Sequence, residues 1–123
     1  MAVIELTKEN FEPTITGNDF VIIDFWAPWC QPCLHFAPVF EKVSQDFTDE
    51  IVFAKINTEV EQAIAAHFQI RSIPTLMVFR EKIIVFSQAG ALPEEHLRNL
   101  ITRVKDLDMD DVRKQIEEET QGR

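Results

Sequence analysis

The segment Phe20-Val21-Ile22-Ile23-Asp24-Phe25-Trp26 constrains the fold of this 123-residue chain more than any other. It is β-branched or aromatic at odd and even positions alike, so neither side of an extended strand built from it could face water. Such a strand belongs in the middle of a sheet with helices over both surfaces. Asp24 alone breaks the pattern, an ionisable side chain where the pattern predicts burial.

The rest of the chain supplies the cover. Val3 to Leu6 reads as a strand, and Thr7 as the cap of a helix ending at Pro13 or Gly17. From Cys33 to Thr48, the residues Phe36, Val39, Phe40, Val43 and Phe47 recur at helical spacing, with Pro38 predicted to bend that helix. Ile51 to Ile56 is a further strand. Asn57 or Thr58 is then predicted to cap a helix that turns Val60, Ala63, Ile64 and Phe68 inward. Two strands follow, Thr75 to Arg80 and Ile83 to Ser87, and the two residues between them, Glu81-Lys82, force an antiparallel hairpin. That turn is chemically awkward, since neither residue favours positive φ. Pro93-Glu94 opens a helix burying Leu97, Leu100, Ile101 and Val104. The order βα, βα, βα, ββ, α predicts an α/β fold with a central mixed β-sheet flanked by helices on both faces.

Charge narrows the function. Twelve Lys and Arg against twenty-one Asp and Glu leave a net charge of −9, which argues against nucleic acid as a partner. Apolar runs such as Ile83 to Phe86 are far shorter than the ~20 residues of a membrane span, so no membrane association is expected. The start, Met1 to Leu6, has no basic n-region, and a cytoplasmic location follows as the expectation. Residues 106–123 hold seven acids and three bases, and Asp108 can cap a short helix with Met109, Val112 and Ile116 on one side. The chain thus divides into a domain at 1–105 and an acidic C-terminal extension at 106–123, a solvated amphipathic appendage.

The two cysteines, Cys30 and Cys33, enclose only Gln31 and Pro32. A disulfide closing so short a loop removes little entropy from the unfolded chain, so redox or metal chemistry is the better reading. Cys30 follows the central strand and leads into a helix, where free amides and the positive end of the helix dipole favour a thiolate. Pro32 fits a first helical turn. Zinc is the rival reading, with His35 and His67 as further ligands, but no second Cys or His pair at matching spacing is present, and no metal is expected. Covalent haem would need His after the second cysteine, where Leu34 stands. His96 reads as an ordinary helix position.

The stretch VIIDFWAPWCQPC, Pro38, AKIN at 54–57, IRSIPTLMVF at 70–79 and GALPE at 90–94 together resemble the thioredoxin family over residues 1–105. The resemblance implies a thioredoxin fold and a disulfide oxidoreductase that reduces protein disulfides by cycling Cys30 and Cys33 between dithiol and disulfide. It implies that Cys30 is the exposed nucleophile and Cys33 the buried resolving thiol. It matches Asp24 to the buried acid behind the resolving cysteine, Lys55 to the lysine beside that acid, and Pro74 to a cis-proline facing the disulfide. Trp29 and Gly90 match positions flanking the substrate groove, and backbone groups of Ser72 and Ile73 are expected to pair with an extended client. The implied partners are disulfide-containing client proteins and an NADPH-dependent flavoprotein thioredoxin reductase, with no cofactor bound to the chain itself. Gln31-Pro32 replaces the family's usual Gly-Pro. Gln31 and Pro32 thus become the residues that tune the redox poise, and without a basic group between the cysteines a reductant is expected rather than a strong oxidant. Two rival functions remain: a thioredoxin-like co-chaperone or holdase, which would survive replacement of both cysteines by serine, and an isomerase or oxidase, which a redox potential separates.

Overall fold

The computed structural model describes residues 3–121, so residues 1 and 2 of the expected domain and 122 and 123 of the expected extension lie outside the described residues. The long apolar segment forms β2 (Phe20–Trp26), after β1 (Val3–Glu5) and α1 (Phe11–Gly17). Then come α2 (Gln31–Ser44), β3 (Val52–Asn57), α3 (Gln62–His67), β4 (Thr75–Arg80), β5 (Ile83–Ala89), α4 (Glu94–Lys105) and α5 (Met109–Gln121). The sheet has five strands in the order β1-β3-β2-β4-β5. β3 runs parallel to β1 and β2, while β4 is antiparallel to β2 and β5, so the sheet is mixed, with β2 at its centre.

The two faces of β2 explain its composition. Phe20 and Ile22 pack with Phe36, Phe40 and Val43 of α2 and with Leu97, Ile101 and Val104 of α4. Val21, Ile23 and Phe25 pack on the other side with Ile15 of α1 and with Ile64 and Phe68 around α3. Phe25, Phe40 and Phe53 are fully buried, and burying such a side chain stabilises the fold by roughly 1.5–3 kcal/mol. Alternation along β2 puts Asp24 on the face covered by α2.

Several helix boundaries differ from expectation, and local polar groups supply the reason. Asn10 Oδ1 accepts the Thr7 amide at 2.6 Å, holding residues 7–10 in a turn, so α1 starts at Phe11 rather than directly after a cap at Thr7. Asn57 Oδ1 likewise accepts the Glu59 amide at 2.9 Å, and α3 starts only at Gln62. Val60 consequently lies in the turn and is 69% exposed, and Ala63 is also exposed, against the inward placement predicted for both. α2 ends at Ser44, short of Thr48, where the amides of Asp46 and Phe47 bond to the carbonyls of Val43 and Ser44. Pro38 lies within α2 at an exposed position.

The β4–β5 turn takes the conformation its sequence disfavours: Glu81 has φ 50° and Lys82 φ 72°. Neighbours hold it there. The Glu81 amide donates to the Asp19 carbonyl at 2.8 Å, and Arg113 of α5 pairs with the Glu81 carboxylate at 2.5 Å. Arg80 donates to the Val104 carbonyl at 2.6 Å, closing the C-terminal end of α4. Asp108 accepts the amides of Asp110 and Asp111 to start α5, whose Met109 is buried. Among the described residues no helix is long and apolar enough to cross a membrane.

Candidate functional site

The central strand delivers the chain to the site. β2 ends at Trp26, and residues 27–30 turn into α2, whose N-cap is Cys30. Cys30 Sγ accepts the Cys33 amide at 3.2 Å, so the sulfur stands where a capping oxygen would. Gln31 and Pro32 fill the first turn, exposed to solvent. Cys30 and Cys33 are joined as a disulfide with their Cα atoms 5.2 Å apart, which makes this the oxidised form. On reduction, a thiolate at Cys30 would meet a donated amide and the positive end of a fourteen-residue helix.

The loop before β4 closes the other side. The Ile73–Pro74 bond is cis, and the Ile73 carbonyl oxygen lies 3.7 Å from Cys30 Sγ. Pro74 is buried, Ile73 half-buried and Ser72 exposed. The Gly90 amide donates to the Pro74 carbonyl at 2.8 Å, with Gly90 at φ +109°, a backbone conformation that a side chain would strain. Trp29, before Cys30, is 66% exposed, and its indole N–H donates to Glu59. Leu34 is exposed one residue beyond Cys33.

The expectation of an exposed Cys30 needs correction. Its side chain keeps 4% of its surface and that of Cys33 1%, because Ala27, Trp26 and Ile73 pack around the disulfide. Cys33 is the more buried of the two, by a small margin.

Asp24 and Trp26 both lie on the α2 face of β2, and Trp26 packs against the disulfide. Asp24 is the register partner of Lys55 across the β2–β3 ladder, and Lys55 Nζ sits 5.1 Å from the centre of the Trp26 ring. Burial pushes the Asp24 carboxyl up to about 7, with the nearby Lys55 charge pulling in the opposite direction. Asp24 Oδ1 and Trp26 Nε1 are both buried without a hydrogen-bond partner in the protein. Two site neighbours escaped the sequence reading. Glu59 has no motif of its own and reaches Trp29 across thirty residues of chain. Trp26 reads from sequence as core, and only the fold sets it between Lys55 and the disulfide. Of the residues that the zinc reading enlisted, the two cysteines are bonded to each other, and His67 packs edge-on against Phe68.

A disulfide at a helix N-terminus, on a mixed five-stranded sheet beside a cis-proline, defines a thiol-disulfide oxidoreductase. The family model for thioredoxin matches residues 2–103. The chain belongs to the thioredoxin family, and it is a protein disulfide reductase. It is 52% identical over 118 residues to a Streptomyces coelicolor protein named for thioredoxin 2, covering 96% of this chain and 87% of that one. With thioredoxin of Bacillus subtilis it shares 36% identity over 103 residues, 84% of this chain and 98% of the relative. Among solved structures, a mutant thioredoxin from Halobacterium salinarum superposes with a TM-score of 0.78 at 29% identity, covering 85% of this chain and 92% of that one.

Proposed function

We propose that the reduced protein attacks client disulfides through Cys30. The Cys30 thiolate displaces one client sulfur, which leaves as a thiolate, and a mixed disulfide forms. The Cys33 thiolate then attacks Cys30 Sγ, forming the internal disulfide and releasing the second client thiolate, so two electrons pass from protein to client. The observation that carries this assignment is the capping contact: the amide of Cys33 points at Cys30 Sγ, a stabilisation available to one sulfur of the pair. The short distance between the two sulfurs makes resolution intramolecular and fast.

In this reading Asp24, with its raised pKa, accepts the proton of Cys33 directly or through water, and Lys55 biases its charge. An extended client segment lies against Ser72 and Ile73, which can offer backbone groups beside Cys30, with Trp29 and Gly90 flanking it. Such recognition reads little side-chain information and suits many clients. Gln31 and Pro32 set the poise of the couple without adding charge, which favours a reductant. The oxidised form would be returned to the dithiol by an NADPH-dependent flavoprotein reductase, in the cytoplasm, with residues 1–105 as the catalytic unit. Turnover of a disulfide-bonded protein in the presence of NADPH and such a reductase tests the cycle. Wild-type protein should turn over, and Cys30→Ser should not; activity retained by that variant would remove Cys30 from the nucleophilic role.

A further inference from the structure

Three of the large apolar side chains that the protein leaves exposed surround one groove at the end of the sheet away from the disulfide. They are Ile84 of β5, Leu107 before α5 and Ile116 of α5, exposed by 44%, 38% and 43%. With Ile83, Val85 and Val112 they line a concavity of about 280 Å³ whose rim carries Gln115 and Glu119. Strand pairing sets the location. Thr75 of β4, next to Pro74, pairs with Ala89, whereas Ile83 pairs with Arg80 beside the Glu81-Lys82 turn, so the groove opens at the far end of β5 from the redox site.

The helix that forms one wall lies beyond the residues 2–103 matched by the family model. It is held in place by burial of Met109 and by the Arg113–Glu81 ion pair, yet Val112 and Ile116 face the groove rather than filling the core. The alignment with the Streptomyces coelicolor relative leaves at most about 4% of this chain outside it, so that protein's sequence continues into α5 as well.

We propose that this groove docks a basic amphipathic helix of a partner protein. Two observations select that occupant. Residues 106–121 carry seven acids and two bases, a net charge of 2 − 7 = −5 on the segment that walls the groove, and the charged residue among the groove's lining side chains is Glu119. A second copy of this chain, also at −9, would bring the same charge to the contact. Strand addition along β5 is obstructed as well, because the β4–β5 ladder shifts register at Val78/Phe79, a bulge that spoils the free edge of β5 for pairing. A helix needs no backbone pairing: apolar residues at i, i+3, i+4 and i+7 would enter between Ile84 and Ile116, with lysines or arginines facing α5. Docking there leaves Trp29 and Ile73 free, so a bound partner and a client disulfide can be held together, and the redox chemistry does not depend on the groove.

The test uses the full chain in its oxidised form and a synthetic Leu/Lys peptide with leucine at i, i+3, i+4 and i+7. Its control is an isomer of the same composition with the leucines spread around the helix. Amide shifts in an NMR titration should saturate and be confined to residues 83–85 and to α5. The isomer, and separately the variants Ile116→Glu and Glu119→Lys, should each bind roughly tenfold more weakly or worse, with disulfide-reduction rates unchanged. Equal binding of the two peptides would overturn the proposal by reducing it to unspecific charge attraction, and shifts centred on Trp29 and Ile73 would overturn it by assigning the peptide to the client groove. A dimer of the protein alone, seen by sedimentation with the same amides shifting on dilution, would overturn it in favour of a second copy.

Discussion

Asp24 and Lys55 sit side by side as register partners on β2 and β3, yet the lysine ammonium is turned over the Trp26 ring and Asp24 Oδ1 has no hydrogen-bond partner in the protein. The carboxylate is therefore close to a compensating charge without being neutralised by a bond to it. Desolvation outweighs the Lys55 charge, and the folded pKa rises from 3.8 to about 7.

This shift fixes a pH dependence. Between the unfolded and folded pKa values the native state holds the extra proton, so the stabilising contribution is complete below about pH 4 and is lost as pH rises through about 7. The shift corresponds to a loss on the order of 4 kcal/mol across that window. Asp24→Asn should remove the loss, leaving the variant more stable than wild type by a few kcal/mol above pH ~7 and close to it near pH ~4. Denaturant melts across this range measure it. A variant destabilised at neutral pH would show that the carboxylate is well paired there.

The same substitution should slow resolution of the mixed disulfide, because Asn cannot take a proton from Cys33. Single-turnover rates should fall roughly 10- to 100-fold near neutral pH and lose their dependence on a group titrating near pH ~7. An unaltered rate and profile would exclude Asp24 from proton transfer.

Removing residues after Lys105 should leave disulfide reduction intact, since Cys30, Cys33, Asp24 and Pro74 all lie upstream of α5. Stability should fall, because Met109 is buried and the turn at Glu81 loses Arg113. Met109→Ala alone should cost about 2–3 kcal/mol. Loss of turnover in a truncated protein that still melts cooperatively would place α5 in the catalytic apparatus.

At the hairpin, Lys82→Gly should stabilise the fold by up to about 1 kcal/mol, since glycine adopts the observed φ of 72° without a Cβ penalty. Glu81 is left in place so that its pairing with Arg113 persists. Thermal melts decide the sign, and a lower midpoint would mean that Lys82 makes a contribution greater than its backbone cost.

The sheet and its helices were legible because burial on both faces leaves a mark in sequence: β2 is apolar at both parities, and Phe36, Phe40 and Val43 recur at helical spacing. The position of the cysteines at a helix start was legible for the same reason. What escaped depends on groups distant in sequence or on competition within a turn. Val60 reads as an inward residue until Asn57 folds the segment into a turn, and the near-burial of Cys30 depends on Ile73 arriving from the loop before β4. Glu59 is one acid among twenty-one acidic residues until the fold brings it to Trp29. The groove beside β5 was half visible: the stripe Met109, Val112 and Ile116 could be read, but not that Met109 would be buried while Ile116 stayed open to solvent.

The division of labour between the two sulfurs is tested most directly by trapping. Cys33→Ser protein, reduced and mixed with a disulfide-bonded client, should accumulate a mixed disulfide that mass spectrometry locates on Cys30, while Cys30→Ser should accumulate little, because Cys33 lacks the capping amide that Cys30 Sγ receives. A client linked reproducibly to Cys33 in wild-type protein, or trapped equally well by both variants, would contradict the assignment of Cys30 as the attacking sulfur.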